Sequence, residues 1–353
     1  MPSVKPYLYV AVACVLACGT AAQLYRIAQF ADLHYGEAPS LPWGPEQDTN
    51  SSRVMRNIIH AESAAGLDLV VFSGDQITGN NVVHNATNVM MEVFSEVVRS
   101  QLRFATIFGN HDDAPLDPPV FRRRRLSTTT RRELLAFEQA TYPQLSVTCG
   151  ASDTTMPTMY GLPEQCPQSA APSVSNYYVL LPNATAPRAV LYFLDSGGGS
   201  YDEQLLVAAT SWLENVTVGL EAVYGVLPSL VFVHIPTPEY PIAATQPGAC
   251  VGMADDGITP TVGENDLITV LQKAGGARGV FVGHDHGNAW CCSFKSLSLC
   301  FGRHTGYGGY GTWDRGARIL ELQLTGNASA PSGVGIHTYI RMEDGSINSM
   351  QWL

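Results

Sequence analysis

A chain of 353 residues, 45% hydrophobic and 14% charged, is long enough to bury one large core or two smaller ones. Its 31 acidic and 20 basic side chains leave a formal net charge of -11. That balance excludes the basic footprint of a nucleic-acid-binding module and disfavours adsorption to anionic lipid.

The first residues read as a secretory signal peptide: Lys5, an apolar stretch over 7–17, then Gly19-Thr20-Ala21-Ala22, with cleavage near Ala22. The apolar run is short for a membrane span, the alternative being an uncleaved anchor, and no later segment is long enough for one. Residues 23–353 then form a single domain, secreted or held in the lumen of the secretory pathway. Sequons at Asn50, Asn85, Asn183, Asn215 and Asn327 agree with that route. So do the six cysteines that remain, Cys149, Cys166, Cys250, Cys291, Cys292 and Cys300, an even number that points to disulfides. Cys149 with Cys166, and Cys291 with Cys300, are close enough in sequence to close small loops; the connectivity stays open.

Residues 24–31 read as a strand ending in Asp32-Leu33-His34, whose two polar side chains can face one side. A helix over 50–65 follows, then a strand over 67–73 ending in Gly74-Asp75-Gln76. A second helix covers 82–102, with Val89, Val93 and Val97 repeating. The strand over 104–108 ends in Gly109-Asn110-His111-Asp112. Strand and helix thus alternate as in a layered α/β fold, and open α/β sheets bind ligands outside the carboxyl ends of their strands.

Residues 113–172 break the rhythm and read as an insertion covering the mouth of the site, with a helix over 130–140. The run Arg122-Arg123-Arg124-Arg125 is a solvated face, an attractor of anionic substrate, or a basic processing site. Strands over 176–181 and 189–194 follow. The second ends in Asp195-Ser196-Gly197-Gly198-Gly199, which lacks the Lys-Ser or Lys-Thr of a P-loop and reads as a flexible turn. After a helix over 205–215, the strand over 230–233 ends in His234-Ile235-Pro236. After another over 264–273, the strand over 279–282 ends in Gly283-His284-Asp285-His286. His284 and His286 repeat the spacing of Asp32 and His34, and Asp285 points away. Residues 302–311 form a glycine-rich loop carrying Arg303, His304, Tyr307 and Tyr310. From their place soon after the histidines, Arg303 and His304 are candidates for substrate contact. Residues 318–324 and 334–341 alternate and read as antiparallel strands of a second sheet.

The strand-end groups Asp32, His34, Asp75, Asn110, His234, His284 and His286 are carboxylates, one amide and imidazoles, with no thiolate. Such a set suits Fe, Mn or Zn. Seven groups exceed the needs of one ion, whereas two ions sharing a bridging carboxylate use them all. Two-metal sites hold their ions roughly 3.5–4 Å apart and clamp both oxygens of an in-line displacement. Asp75, alone at its strand end, is the natural bridge.

This ordered set resembles the calcineurin-like metallophosphoesterase superfamily. The nearer resemblance is to its purple-acid-phosphatase-like branch, which includes the dosage-dependent cell-cycle regulator phosphatases. It is carried by Phe281-Val282-Gly283-His284-Asp285-His286, Leu299-Cys300-Phe301-Gly302, Tyr307-Gly308-Gly309-Tyr310-Gly311 and Trp313-Asp314-Arg315-Gly316-Ala317-Arg318. The resemblance implies a four-layer αββα sandwich of two mixed β-sheets flanked by helices. It implies a first metal on Asp32, His34, Asp75 and His286, and a second on Asp75, Asn110, His234 and His284. It makes His111 the general acid, with Asp112 orienting it. One motif departs: purple acid phosphatases bind ferric iron through a tyrosine shortly after the Gly-Asp pair, whereas this chain has Gln76-Ile77-Thr78 and His34 fills in, so no purple colour is expected. The implied activity is hydrolysis of phosphomonoesters by in-line attack of hydroxide generated at the two cations. The alternatives are a phosphodiesterase acting on nucleotides or lipid headgroups with the same site, and a metal-stabilised binding protein without turnover.

Overall fold

Two β-sheets pack face to face, with helices on their outer surfaces. The computed structural model describes residues 23–82, 84–116, 128–150, 166, 174–200, 205–246, 248–262, 266–324 and 334–353. The first half alternates β1 (Gln23–Phe30), α1 (Trp43–Ser63), β2 (Leu69–Ser73), α2 (Ala86–Arg99), β3 (Arg103–Ile107) and α3 (Arg131–Thr141). The second holds β4 (Tyr177–Leu181), β5 (Ala189–Leu194), α4 (Leu205–Tyr224), β6 (Ser229–Val233), α5 (Glu239–Ala244), β7 (Cys250–Val251), α6 (Leu267–Ala274), β8 (Ala277–Val282), β9 (Cys291–Phe294) and β10 (Leu297–Phe301). Three strands close the chain: β11 (Gly316–Leu324), β12 (Val334–Met342) and β13 (Ile347–Trp352).

One sheet runs β13-β12-β11-β1-β2-β3 and the other β4-β5-β6-β8-β10-β9-β7. Both are mixed. β1, β2 and β3 are mutually parallel, as are β5, β6, β8 and β10, with antiparallel neighbours outside them. Parallel strands aim their carboxyl ends the same way, so each sheet gathers its polar strand ends along one rim. The closing strands correct the sequence reading. They do not start a second sheet: β11 pairs along β1 from Gln23↔Leu324 to Gln29↔Arg318. The reason is that β1 would otherwise present an unpaired edge, which local alternation in β11 cannot reveal.

Period-two alternation divides β5, β6 and β8 between two cores. Leu191, Phe193, Phe232 and Phe281 point between the sheets, while Val190, Tyr192, Val231, Val280 and Val282 point at α4 and α6. Tyr177, Phe193, Phe232 and Phe281 stack as a ladder across four strands, with centroids 4.5, 5.3 and 5.4 Å apart. Such cross-strand pairs hold the register. α1 starts well before the expected residue 50, because Pro45 fits the first turn, where its missing N–H costs nothing. Its polar first turns carry no apolar stripe to announce it.

The six cysteines among the described residues are paired, as Cys149–Cys166, Cys250–Cys292 and Cys291–Cys300. The described part of the expected lid flanks β3 instead: Phe104 N–H donates to Leu145 O and Val147 N–H to Phe104 O. The segment 1–22, the arginine run 122–125 and Asn327 lie outside the described residues. Asn85, Asn183 and Asn215 are exposed. Among the described residues no helix is long and apolar enough to cross a membrane.

Candidate metal centre

Five strand ends meet at one place. The chain leaves β1, β2 and β8 through left-handed residues: Asp32 (φ 58°), His34 (φ 51°), Asp75 (φ 54°) and His284 (φ 76°). Non-glycine residues avoid this region unless their surroundings impose it, and such strain gathers at functional sites. Here the sharp turns throw the side chains inward across the gap between the two sheet rims.

On one side His34 Nε2 lies 3.2 Å from His286 Nε2, and His286 Nε2 lies 3.9 Å from Asp32 Oδ1. On the other, Asn110 Oδ1 lies 3.2 Å from His234 Nε2 and 3.0 Å from His284 Nδ1. Asp75 stands between them, with Oδ2 at 3.7 Å from His34 Nε2 and 3.2 Å from His234 Nε2. Three overlapping groups have donor atoms close enough to hold a metal ion: Asp32, His34 and His286; His34, Asp75 and His111; Asp75, His234 and His284. The sequence-derived set of seven is therefore brought together, with His111 added at its edge.

Electrostatics separates the members. Burial keeps His34, His284 and His286 below their ordinary value, His284 at about 3 and His286 at about 4, so their lone pairs are free. Burial also pulls His234 down, but the Asp75 carboxylate outweighs it and lifts His234 to about 9. Burial pushes Asp75 up, yet His234, His111 and His34 hold it well below the usual carboxylate range. Asp32 is raised by burial to about 7. Neutral nitrogens facing one another beside two buried carboxylates and an amide oxygen form a nest of lone pairs that a cation fits. Carboxylate, amide and imidazole together suit first-row ions of the Fe, Mn or Zn kind.

A surrounding layer fixes the donors. His234 Nδ1 faces Ser73 O at 2.9 Å and His286 Nδ1 faces Tyr310 O at 2.8 Å. A carbonyl only accepts, so each ring carries its proton on Nδ1 and turns Nε2 inward. Gln29 Nε2 reaches Ser73 Oγ and Val282 O, tying the rims together. Gly109 is required by proximity: an added Cβ would run into Asp75 Oδ1 and sit 2.7 Å from His234 Nε2.

The remaining expectations need revision. Asp112 does not orient the His111 ring. Its carboxylate accepts the backbone N–H groups of Gly109, Asp75, Gln76 and Ile77 at 2.7–3.1 Å, bracing two strand ends, because a buried carboxylate settles where several donors converge. Arg303 and His304 are not on the open cleft. Both are buried; Arg303 Nε donates to Asp314 O, and the His304 ring packs 4.0 Å from that of His286. Loop position alone could not distinguish the cleft side from the back. The cleft, of about 600 Å³, is lined instead by Glu37, Asn80, Asn81, Thr259 and Tyr310 around His34, Asp75, His111, His284 and His286. A larger groove of about 1320 Å³ between α1 and α2 meets it at Asn80 and Asn81 but holds no metal-capable cluster among the described residues.

The glycine triplet is not a loose turn. Gly197, Gly198 and Gly199 all have positive φ, and a Cβ on Gly198 would stand 2.6 Å from Asn110 Cβ. Sequence reasoning also missed Arg131. This buried guanidinium pairs with Asp113 at 3.0 Å and Asp195 at 2.6 Å, and donates to Gly109 O and Gly198 O. An arginine in a first helical turn after a polar cap normally faces water, so nothing local marks it.

A family model described as calcineurin-like phosphoesterase matches residues 25–288. The chain is similar to probable inactive purple acid phosphatase 29 of Arabidopsis thaliana, at 28% identity over 346 residues, covering 91% of this chain and 82% of that protein. It is also similar to Phosphatase DCR2 of Saccharomyces cerevisiae, at 28% identity over 348 residues, covering 90% of this chain and 54% of that longer protein. Among solved structures, a dimetal phosphatase from Danio rerio shares the fold with a TM-score of 0.51 at 13% identity, over 93% of this chain and 98% of that one.

Proposed function

Because the chain belongs to the calcineurin-like phosphoesterase family, a family of phosphoric ester hydrolases, we propose that it is a secreted binuclear-metal phosphatase acting on phosphomonoesters. Asp32, His34, Asp75 and His286 would hold one ion; Asp75, Asn110, His234 and His284 would hold the second. The observation that carries this reading is the position of Asp75, whose single Oδ2 lies between a histidine of each group. Two ions, when bound, supply positive charge to phosphate oxygens and lower the pKa of a water. The protein supplies the rest. Asn110 and His284 are partly exposed at the cleft side, while Asp32, His34 and His234 are buried beneath it. His111 lines the cleft, while its backbone N–H, rather than its ring, donates to Asp75 Oδ1 at 2.7 Å. The imidazole is thus free to give a proton to the departing alkoxide as general acid. Asp112 and Arg131 hold the loop that carries Asn110 and His111.

The words "probable inactive" belong to the name of the Arabidopsis relative. For this chain the full donor set supports activity. The test is elemental analysis of purified protein beside a panel of phosphate esters. Two equivalents of Fe, Mn or Zn with turnover of monoesters is the expected result; fewer than two, or no hydrolysis after metal supplementation, rejects the reading. A second reading, phosphodiester hydrolysis, draws support from the groove that opens beyond Asn80 and Asn81, with room for a second esterified group. Paired mono- and diesters of one alcohol separate the two. Passage through the secretory pathway is supported by the three disulfides; a mass loss on enzymatic removal of N-linked glycans from protein recovered in medium tests it.

A further inference from the structure

Tyr310 is half exposed and lines the cleft, yet the donor set and the proposed acid leave it without a role. It grips His286 in three ways. Its ring lies nearly parallel on the imidazole, with centroids 4.0 Å apart and planes 15° from parallel. Its carbonyl accepts the His286 Nδ1 proton at 2.8 Å. Its hydroxyl accepts the His286 backbone N–H at 3.1 Å and donates to Asp256. The approach is permitted by the preceding glycine: a Cβ on Gly309 would collide with the His286 ring and stand 2.8 Å from that of His34. Gly309 N–H is itself held by Glu37 Oε2 at 2.8 Å. Beyond Asp256, the same loop brings Thr259 to the cleft, where its N–H donates to Asp285.

We infer that Tyr310 is a positioning residue, which aims His286 at the ion shared with Asp32 and His34 and couples that aim, through Asp256, to the loop walling the cleft. The inference rests on the metal reading proposed above. A stacked ring and a main-chain acceptor leave the imidazole one orientation, and groups in this position typically change metal affinity about 10–100-fold when lost.

The test is chelator-competition titration of Zn²⁺ on the wild type, Tyr310→Leu and Tyr310→Phe, with the melting temperature of each metal-free protein. Tyr310→Leu should weaken one of two sites at least about 10-fold and leave the other within roughly threefold. Tyr310→Phe keeps the ring and should fall between it and the wild type. Metal-free melting temperatures should agree. Unchanged affinity at both sites in Tyr310→Leu overturns the inference alone. So does an equal loss at both sites with a matching fall in melting temperature, which marks general loosening. A wild type that takes up no zinc overturns the metal reading, and this inference with it.

Discussion

His111→Ala removes a ring from the cleft wall without disturbing the His111 backbone N–H that braces Asp75. Metal content should therefore stay at two equivalents, while turnover of an alkyl phosphate falls about 10²–10⁴-fold and that of an aryl phosphate much less. Unchanged alkyl turnover rejects the acid role. Asp112→Ala acts differently. It strips four buried N–H groups of their acceptor, so a loss of roughly 3 kcal/mol or more is expected in denaturant titration, with metal uptake weakened alongside. The histidines also set a pH signature for the metal-free protein. His34, His284 and His286 have depressed values, so below 6.5 the unfolded chain takes up protons that the fold refuses, and stability falls with pH. Asp32 and Asp112, each raised by burial to about 7, and Asp48 and Asp285, each raised to about 6, oppose them on the acid side. His234 is raised to about 9, so its contribution is complete below 6.5 and lost as pH climbs through 9. Melting temperature without metal should decline as pH climbs from 6.5 through 9, as His234 and the raised carboxyls lose their protons in the fold; a rise across that range contradicts the assignment.

At the scale of elements, α3 is an anchor rather than a lid. Its capping box, Thr130 with Glu133, starts the helix where Arg131 can enter the interior. Arg131→Met keeps the bulk but leaves Asp113 and Asp195 buried without their partner. Removing one member of a buried ionic group costs about 3–5 kcal/mol, and the Gly109 loop should loosen with it, weakening the ion that Asn110 would hold. Denaturant titration beside zinc titration measures both. The Cys250–Cys292 bond closes 42 residues of chain next to the loop that carries Asp256 and Thr259. Replacing both cysteines by serine should cost about 2–4 kcal/mol. Most of these elements were legible from sequence, since β1, β2, β3, β5, β6 and β8 are apolar runs bounded by Gly, Asp or His. The first turns of α1, the short α5 and strands β7, β9, β10 and β13 were not read; the first turns of α1 and the two-residue β7 carry no hydrophobic period.

For the molecule as a whole, the two rims are joined by direct bonds such as His284 N–H to Asp32 Oδ1 at 2.9 Å, and by whatever the seven donors bind. Removing metal with a chelator should therefore destabilise the entire sandwich. Two sites each at 100 times Kd contribute about 5 kcal/mol, a fall on the order of 10 °C in Tm for a chain of this length. Restoring zinc or manganese should recover it. The donors themselves were readable from the sequence. A carboxylate, amide or imidazole at the end of an apolar strand is a local fact, and parallel strands deliver such ends to one rim. What the order of residues could not convey is which face of a loop meets solvent. Arg303 and His304 went behind the centre while Asn80, Asn81 and Tyr310 came to the cleft, and Asp112 turned to backbone rather than to His111. Those choices were made by packing between segments far apart in the chain, where burial and the need to satisfy each buried polar group outweigh any preference carried by neighbouring residues.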